Sequence, residues 1–97
     1  MSTNAIDKLT VNYEEDGVLM VKEIGREVLS KGAWTTILFR YLNWDAKNET
    51  YGKEAFAIRR YQKRGDEYVL KSKFTFSSRE QARKIIDVLE KWMKEEQ

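Results

Sequence analysis

The segment from residue 34 to residue 44 constrains the fold most strongly, because it reads as one long β-strand. It is rich in β-branched and aromatic residues, which strands favour. Alternation gives it one face with Trp34, Thr36, Leu38, Arg40, Leu42 and Trp44, and another with Thr35, Ile37, Phe39, Tyr41 and Asn43. Both faces are partly apolar. The pattern predicts a central strand covered on one side by a helix and on the other by a surface that this chain need not supply.

Three further strands are predicted around this central one. Residues 18–29 are rich in Val, Ile and Leu, and Gly25 in their middle indicates a bulge. Strands at about 53–62 and 67–76 are predicted to form a hairpin closed by the turn Arg64-Gly65-Asp66. The predicted sheet is therefore antiparallel, with four strands in meander order.

The beginning of the chain lacks such a pattern. Residues 1–16 carry a net charge of −3 and little periodicity, so they are interpreted as a loose N-terminal arm with at most a short strand around residues 9–13. Residues 17–97 are interpreted as a single domain of four strands and one helix.

The C-terminal segment predicts an amphipathic helix. Ser77 and Glu80 form a capping box at its start. The apolar residues that recur at helical spacing are Ala82, Ile85, Ile86, Val88, Leu89, Trp92 and Met93. Most of this stripe is expected to be core, but it is wider than one sheet face requires. The extra width at Val88, Leu89 and Trp92 predicts that the helix also pairs two subunits, so that the α+β domain is a homodimer.

The predicted hairpin concentrates positive charge. Residues 53–75 hold seven Lys or Arg and three acids, a local charge of +4 in a chain whose net charge is +2. Cations beside flat aromatic rings suit single-stranded nucleic acid, because the cations neutralise phosphates and the rings stack on unpaired bases. A solvated hairpin kept soluble by its charges is the alternative.

The composition argues against catalysis. The chain has no Cys and no His, so thiolate chemistry and the commonest general base and metal ligand are missing. The acids are mostly spread singly among Lys and Arg, so the protein is expected to be no enzyme and to need neither metal nor cofactor. No apolar run approaches the roughly 20 residues of a membrane span, and no signal pattern is present at the N-terminus. The expected location is the cytoplasm.

Residues 58–81 resemble the C-terminal domain of the transcriptional coactivator called positive cofactor four. The matching residues are Ile58-Arg59-Arg60-Tyr61, the turn after them, the Lys-containing strand and the pair Glu80-Gln81. The resemblance implies a curved four-stranded antiparallel sheet, a C-terminal helix that pairs two subunits, and binding of single-stranded DNA across the sheet, as in the related Whirly proteins. Arg59 and Tyr61 match the family motif directly, whereas Gln62 stands where the family has an aromatic residue.

Alternation places the candidate binding residues. If Phe56 and Ile58 face inward under the helix, Arg59 and Tyr61 face outward, and the strand that follows turns its lysines outward as well. The predicted nucleic-acid surface comprises Arg59, Tyr61, Lys71, Lys73, Lys63, Arg64, Arg40, Trp34 and Trp44. Each of these residues also has a plainer interpretation: core or subunit contact for the tryptophans, a half-buried strand position for the tyrosine, and solvation for the cations.

The function predicted from these residues is therefore binding of single-stranded nucleic acid, DNA in particular, in the manner of a transcription cofactor. The main alternative is a protein-interaction module that uses an apolar sheet face, which the small net charge of +2 favours. A small-molecule binding role is a third reading.

Overall fold

The computed structural model describes residues 6–95 and shows an α+β fold, a five-stranded antiparallel sheet followed by one helix. The strands neighbour one another in chain order, as a meander. A short 3-10 helix at Ile6–Lys8 precedes the strands β1 (Tyr13–Glu15), β2 (Val18–Ser30), β3 (Trp34–Asp45), β4 (Thr50–Arg64) and β5 (Glu67–Phe76), and the helix α1 spans Arg79–Glu95.

The prediction of four strands was one short. The additional strand, β1, has only three residues and lies in the segment interpreted as a loose arm. It pairs with the start of β2, with Tyr13 opposite Val21. Residues 1–5 of the predicted arm lie outside the described residues.

The four longer strands lie close to their predicted positions. The bulge in β2 is confirmed: Glu23 lies opposite Tyr41 and Gly25 opposite Arg40, so the residue between Glu23 and Gly25 has no partner. The predicted turn between β4 and β5 is also present, and it contains Gly65 with a φ of 64°, a left-handed conformation that glycine tolerates.

Strand pairing defines the two faces of the sheet, because directly opposite residues in an antiparallel pair share a face. Ile37 of β3 lies opposite Arg59 of β4, and Arg40 of β3 lies opposite Phe56 of β4. We call the face with Ile37 and Arg59 the covered face, and the face with Arg40 and Phe56 the helix face.

Residues 6–12, which we call the N-terminal segment, pack on the covered face. Val11 joins the fully buried Ile37 and Phe39 and the buried Tyr61 in one core cluster. The half-buried residues around this cluster are Ile6, Leu9, Val21, Val28, Tyr41 and Tyr68. Part of the predicted arm is thus a structural element, and the main core forms between this segment and the sheet.

The helix α1 lies on the other side and begins one residue later than predicted. The Ser78 hydroxyl, not that of Ser77, accepts a hydrogen bond from the Gln81 amide at 3.1 Å and caps the helix. No residue of α1 is buried, and Trp92 is 59% exposed. The expectation that most of the apolar stripe is core was therefore wrong. Within residues 6–95, no helix has the length and apolar character needed to cross a membrane.

Candidate nucleic-acid interface

A groove of about 390 Å³ lies on the covered face, between the N-terminal segment and strands β4 and β5. Its volume falls within the range of roughly 300–1,000 Å³ typical of ligand clefts. Its lining consists of Thr10, Val11, Asn12, Tyr13, Val21, Tyr41, Asn43, Ala57, Arg59, Lys73 and Thr75. Two of these side chains are cationic and none is acidic, so the groove favours an anionic ligand.

The two cations of the groove lie side by side on adjacent strands, on the same face of the sheet. Arg59 of β4 lies directly opposite Lys73 of β5. Like charges at such a position destabilise a sheet. Among residues 6–95, neither cation has a carboxylate at salt-bridge distance, and the Arg59 Nε is buried without a hydrogen-bond partner. A phosphate near this pair would relieve the repulsion and offset the cost of the unneutralised charges.

A polar network, which we call the arm network, holds the N-terminal segment over the sheet. The Arg26 guanidinium donates hydrogen bonds to the carbonyl oxygens of Ile6, at 3.2 Å, and Leu9. It also pairs with the Glu23 carboxylate at 2.9 Å. The Thr10 hydroxyl donates to Glu23, and the Asn12 side-chain oxygen accepts the Glu23 amide at 2.7 Å. These bonds fix the backbone that forms one wall of the groove.

The ionisation of Glu23 stabilises this network. Burial by itself raises the pKa of the Glu23 carboxyl, but the hydrogen bonds from Arg26 and Thr10 outweigh it and hold the pKa below its ordinary value of 4.5. The same hydrogen bond to Glu23 raises the pKa of Arg26. Arg26 also lies over the ring of Phe39, 5.3 Å from the centroid, so the network is joined to the core.

Tyr61, one of the predicted site residues, is buried rather than exposed. Alternation correctly placed it on the same face as Arg59, but that face is covered there. Tyr61 is 4% exposed and packs in the core cluster with Val11, Ile37 and Phe39. The expectation that Tyr61 faces outward was wrong, because the N-terminal segment covers it.

Arg40 and Trp34 were grouped with Arg59, but they lie on the helix face. Arg40 is opposite Phe56 and pairs with the Glu54 carboxylate at 2.6 Å. The Arg60 guanidinium lies 4.2 Å from the ring centroid of Trp34, over its face. The structure therefore divides the predicted basic and aromatic surface between two sides of the sheet.

The remaining predicted cations are exposed but lie apart from the groove. Lys63 and Arg64 end β4, and Lys71 lies at a bulge of β5. Trp44 is half-buried and packs edge-on against Tyr51, with ring centroids 5.1 Å apart. None of these four residues lines the groove.

The predicted dimer residues lie together on α1. Val88 is half-buried, whereas Leu89 and Trp92 are exposed. These three residues line a shallow, mostly apolar groove of about 370 Å³ along the helix. The helix is joined to the sheet through Glu54, whose carboxylate pairs with Arg79 of α1 as well as with Arg40 of β3. Those guanidinium groups hold the pKa of Glu54 below its ordinary value of 4.5.

Sequence reasoning missed the residues that the N-terminal segment and the start of β1 bring to the groove, notably Asn12 and Tyr13. A signal was present, because Ile6, Leu9 and Val11 make this segment apolar enough to pack on a sheet. It was overlooked because the spacing of these residues matches neither strand nor helix over a useful length.

In the part of the chain that the structure describes, no group of three or more acidic, His or Cys side chains could hold a metal ion. No protein-family model, curated protein or solved structure matches the chain.

Proposed function

We propose that the protein binds single-stranded nucleic acid, single-stranded DNA in particular, through the groove on the covered face. The observation that carries this proposal is the unneutralised pair Arg59 and Lys73 in the lining of that groove. Two like charges at opposed positions of a sheet repel each other, and phosphates bound beside them would neutralise that repulsion.

The side chains that neighbour the two cations favour a single-stranded ligand over a duplex. Tyr13 and Tyr41 line the same groove as the two cations, together with the amide side chains of Asn12 and Asn43. Rings can stack on unpaired bases, and amides can hydrogen-bond to base edges, whereas a duplex would bury its bases away from both. The resemblance of residues 58–81 to positive cofactor four supports the same ligand and implies a role as a transcription cofactor.

The proposal includes a homodimer paired through α1. The exposed apolar residues of α1 and the exposed Phe74 and Trp34 of the helix face supply apolar area that a second copy can bury. A cytoplasmic location and the absence of catalysis remain predictions from the sequence.

The test is a fluorescence anisotropy titration of a labelled oligothymidylate, single-stranded or annealed to its complement, at several salt concentrations. We expect the single strand to bind more tightly, with an affinity that falls steeply with salt. Replacing both Arg59 and Lys73 by Gln should lower the slope of log affinity against log salt by about 1.4, because each lost phosphate contact contributes roughly 0.7.

The matched control replaces Lys31 and Lys47 by Gln. Both are exposed, lie at the β2–β3 and β3–β4 turns and do not line the groove, and the change in net charge is the same. An equal effect of the two double variants would show that binding depends on net charge alone and would overturn the assignment to the groove.

A protein-interaction module remains the second candidate, and the exposed apolar helix face favours it. Phe74, near the end of β5, is 53% exposed, and Leu89 and Trp92 of α1 are exposed as well. A heterologous protein on this surface would bind with little dependence on salt, and the wild-type protein would then bind neither oligonucleotide.

A further inference from the structure

We infer that the N-terminal segment and β1 form part of the nucleic-acid site. In this site, Tyr13 stacks on an unpaired base while Arg59 and Lys73 bind phosphates. This inference rests on the proposed function and names a binding residue beyond the resembling segment. It gives residues 6–13 a function in binding as well as in packing.

The position of Tyr13 is the first observation. It begins β1 opposite Val21 and lines the groove that contains both cations. Its side chain is 55% exposed, although Val11, two residues earlier, is buried in the core. A large ring left in water at the edge of a cationic groove is available to a base, and stacking of bases on aromatic rings tolerates any base sequence.

The rigidity of its support is the second observation. The arm network fixes the residues just before Tyr13, with Thr10 and Asn12 both hydrogen-bonded to Glu23. The backbone amide of Asn12 also donates a hydrogen bond to the Thr10 hydroxyl oxygen, at 3.1 Å. Because the backbone is already held in place, little conformational entropy is lost when a base docks on the ring.

Acidic residues next to Tyr13 limit how far the bound nucleic-acid strand can extend along the protein. Glu14, Glu15 and Asp16 directly follow Tyr13. A phosphate chain held at Arg59 and Lys73 is repelled by these acids, so its contact with the protein ends near Tyr13 rather than continuing along β1. Tyr13 thus marks one end of the bound stretch, where a base can be presented to the ring.

The experiment compares an oligothymidylate with the same oligonucleotide carrying abasic sites, which keeps the phosphates and removes bases. Tyr13→Ala should weaken binding of the oligothymidylate by about 5- to 100-fold, the range of a single base stack. It should leave binding of the abasic strand nearly unchanged. Tyr13→Phe, which keeps the ring, should bind both strands as the wild type does.

Val18→Ala supplies the matched control, because Val18 is exposed on the neighbouring hairpin strand opposite Glu15 and does not line the groove. It should bind as the wild type does. Thr10→Val loosens the arm network without touching the ring. It should weaken oligothymidylate binding more in the wild-type background than in the Tyr13→Ala background, where only the contribution of the groove wall is left to lose.

The outcomes separate this inference from the proposed function. If the Arg59 and Lys73 double variant loses affinity while Tyr13→Ala binds normally, the assignment of binding to the groove holds and the stacking role of Tyr13 is wrong. An equal loss on both strands for Tyr13→Ala would also overturn stacking. Failure of the wild type to bind either strand would overturn the proposed function together with this inference.

Discussion

The two faces of the sheet are buried to very different extents by elements of very different size. On the covered face, a seven-residue segment contributes to a core in which Ile37 and Phe39 are fully buried. On the helix face, the 17-residue α1 has no buried residue, and Phe74 of β5 stays more than half exposed. The length of an amphipathic element therefore does not decide how much of a face it covers.

The difference follows from how each element is attached. The N-terminal segment is bonded along its length through Arg26 and Glu23, so its few apolar side chains are pressed onto the sheet. α1 is attached near its first turn, where Arg79 pairs with Glu54, and its stripe beyond that point remains accessible. The covered face therefore contains most of the core, whereas the helix face leaves large apolar side chains exposed.

Substitutions of the same chemical type on the two faces should separate them most clearly. Phe39→Ala should lower the free energy of unfolding by about 3–5 kcal/mol, the range for a buried phenylalanine, at any protein concentration. Phe74→Ala should cost less, and under the proposed pairing of two subunits its cost should grow with protein concentration, because association would bury that ring. Urea denaturation at two protein concentrations measures the loss of unfolding free energy for both variants. A cost of Phe74→Ala that is equal at both protein concentrations would mean that association does not bury this ring.

Association through α1 is expected to depend on Trp92. Sedimentation should show a dimer of the wild type at tens of micromolar, as expected for ordinary subunit affinities. Trp92→Glu should raise the dimer dissociation constant by at least about 100-fold, since a charge would be buried without a partner. Lys91→Gln makes the same change in net charge at the neighbouring exposed position and should remain dimeric. A monomeric wild type would refute pairing through α1.

The smallest expected difference concerns pH. Glu23 has a folded-state pKa below its ordinary value of 4.5, so its contribution to stability is present above that value and is lost as the pH falls through the folded-state pKa. The backbone amide of Val11 also donates a hydrogen bond to the Glu23 carboxylate. Glu23→Gln should therefore reduce the acid sensitivity of thermal unfolding and speed hydrogen exchange of the Val11 amide at neutral pH.

Glu54→Gln serves as the comparison from the helix face, because the pKa of Glu54 is lowered as well. It should loosen the start of α1 and leave the protection of Val11 unchanged. Hydrogen exchange at Val11 that responds equally to both variants would contradict the separation of the two faces.

The strands and the helix were predictable because their signals are local. Alternation from Trp34 onward identified β3, Gly25 indicated the bulge of β2, and helical spacing identified α1. The cap was displaced by one residue because Ser77 and Ser78 both satisfy the capping pattern, and Ser78 is followed by Gln81 at the required distance.

The candidate site was predictable only in part. Arg59 and Lys73 were chosen from the sequence and lie side by side, but Arg40 and Trp34 lie on the opposite side of the sheet. Alternation sorts the residues of one strand into two sets, yet it does not say which set of β3 shares a face with which set of β4. A shift of one residue in pairing would exchange them.

The amino-acid sequence by itself determined the order of the four long strands and the helix and the basic character of the hairpin from β4 to β5, because propensity, alternation and charge act over a few neighbouring residues. The tertiary structure alone decided that residues 6–12 cover Tyr61, that Tyr13 joins Arg59 and Lys73 in one groove, and that Leu89 and Trp92 of α1 stay exposed. Those outcomes depend on strand register and on contacts between residues far apart in the chain, such as Arg26 with Ile6 and Glu54 with Arg79.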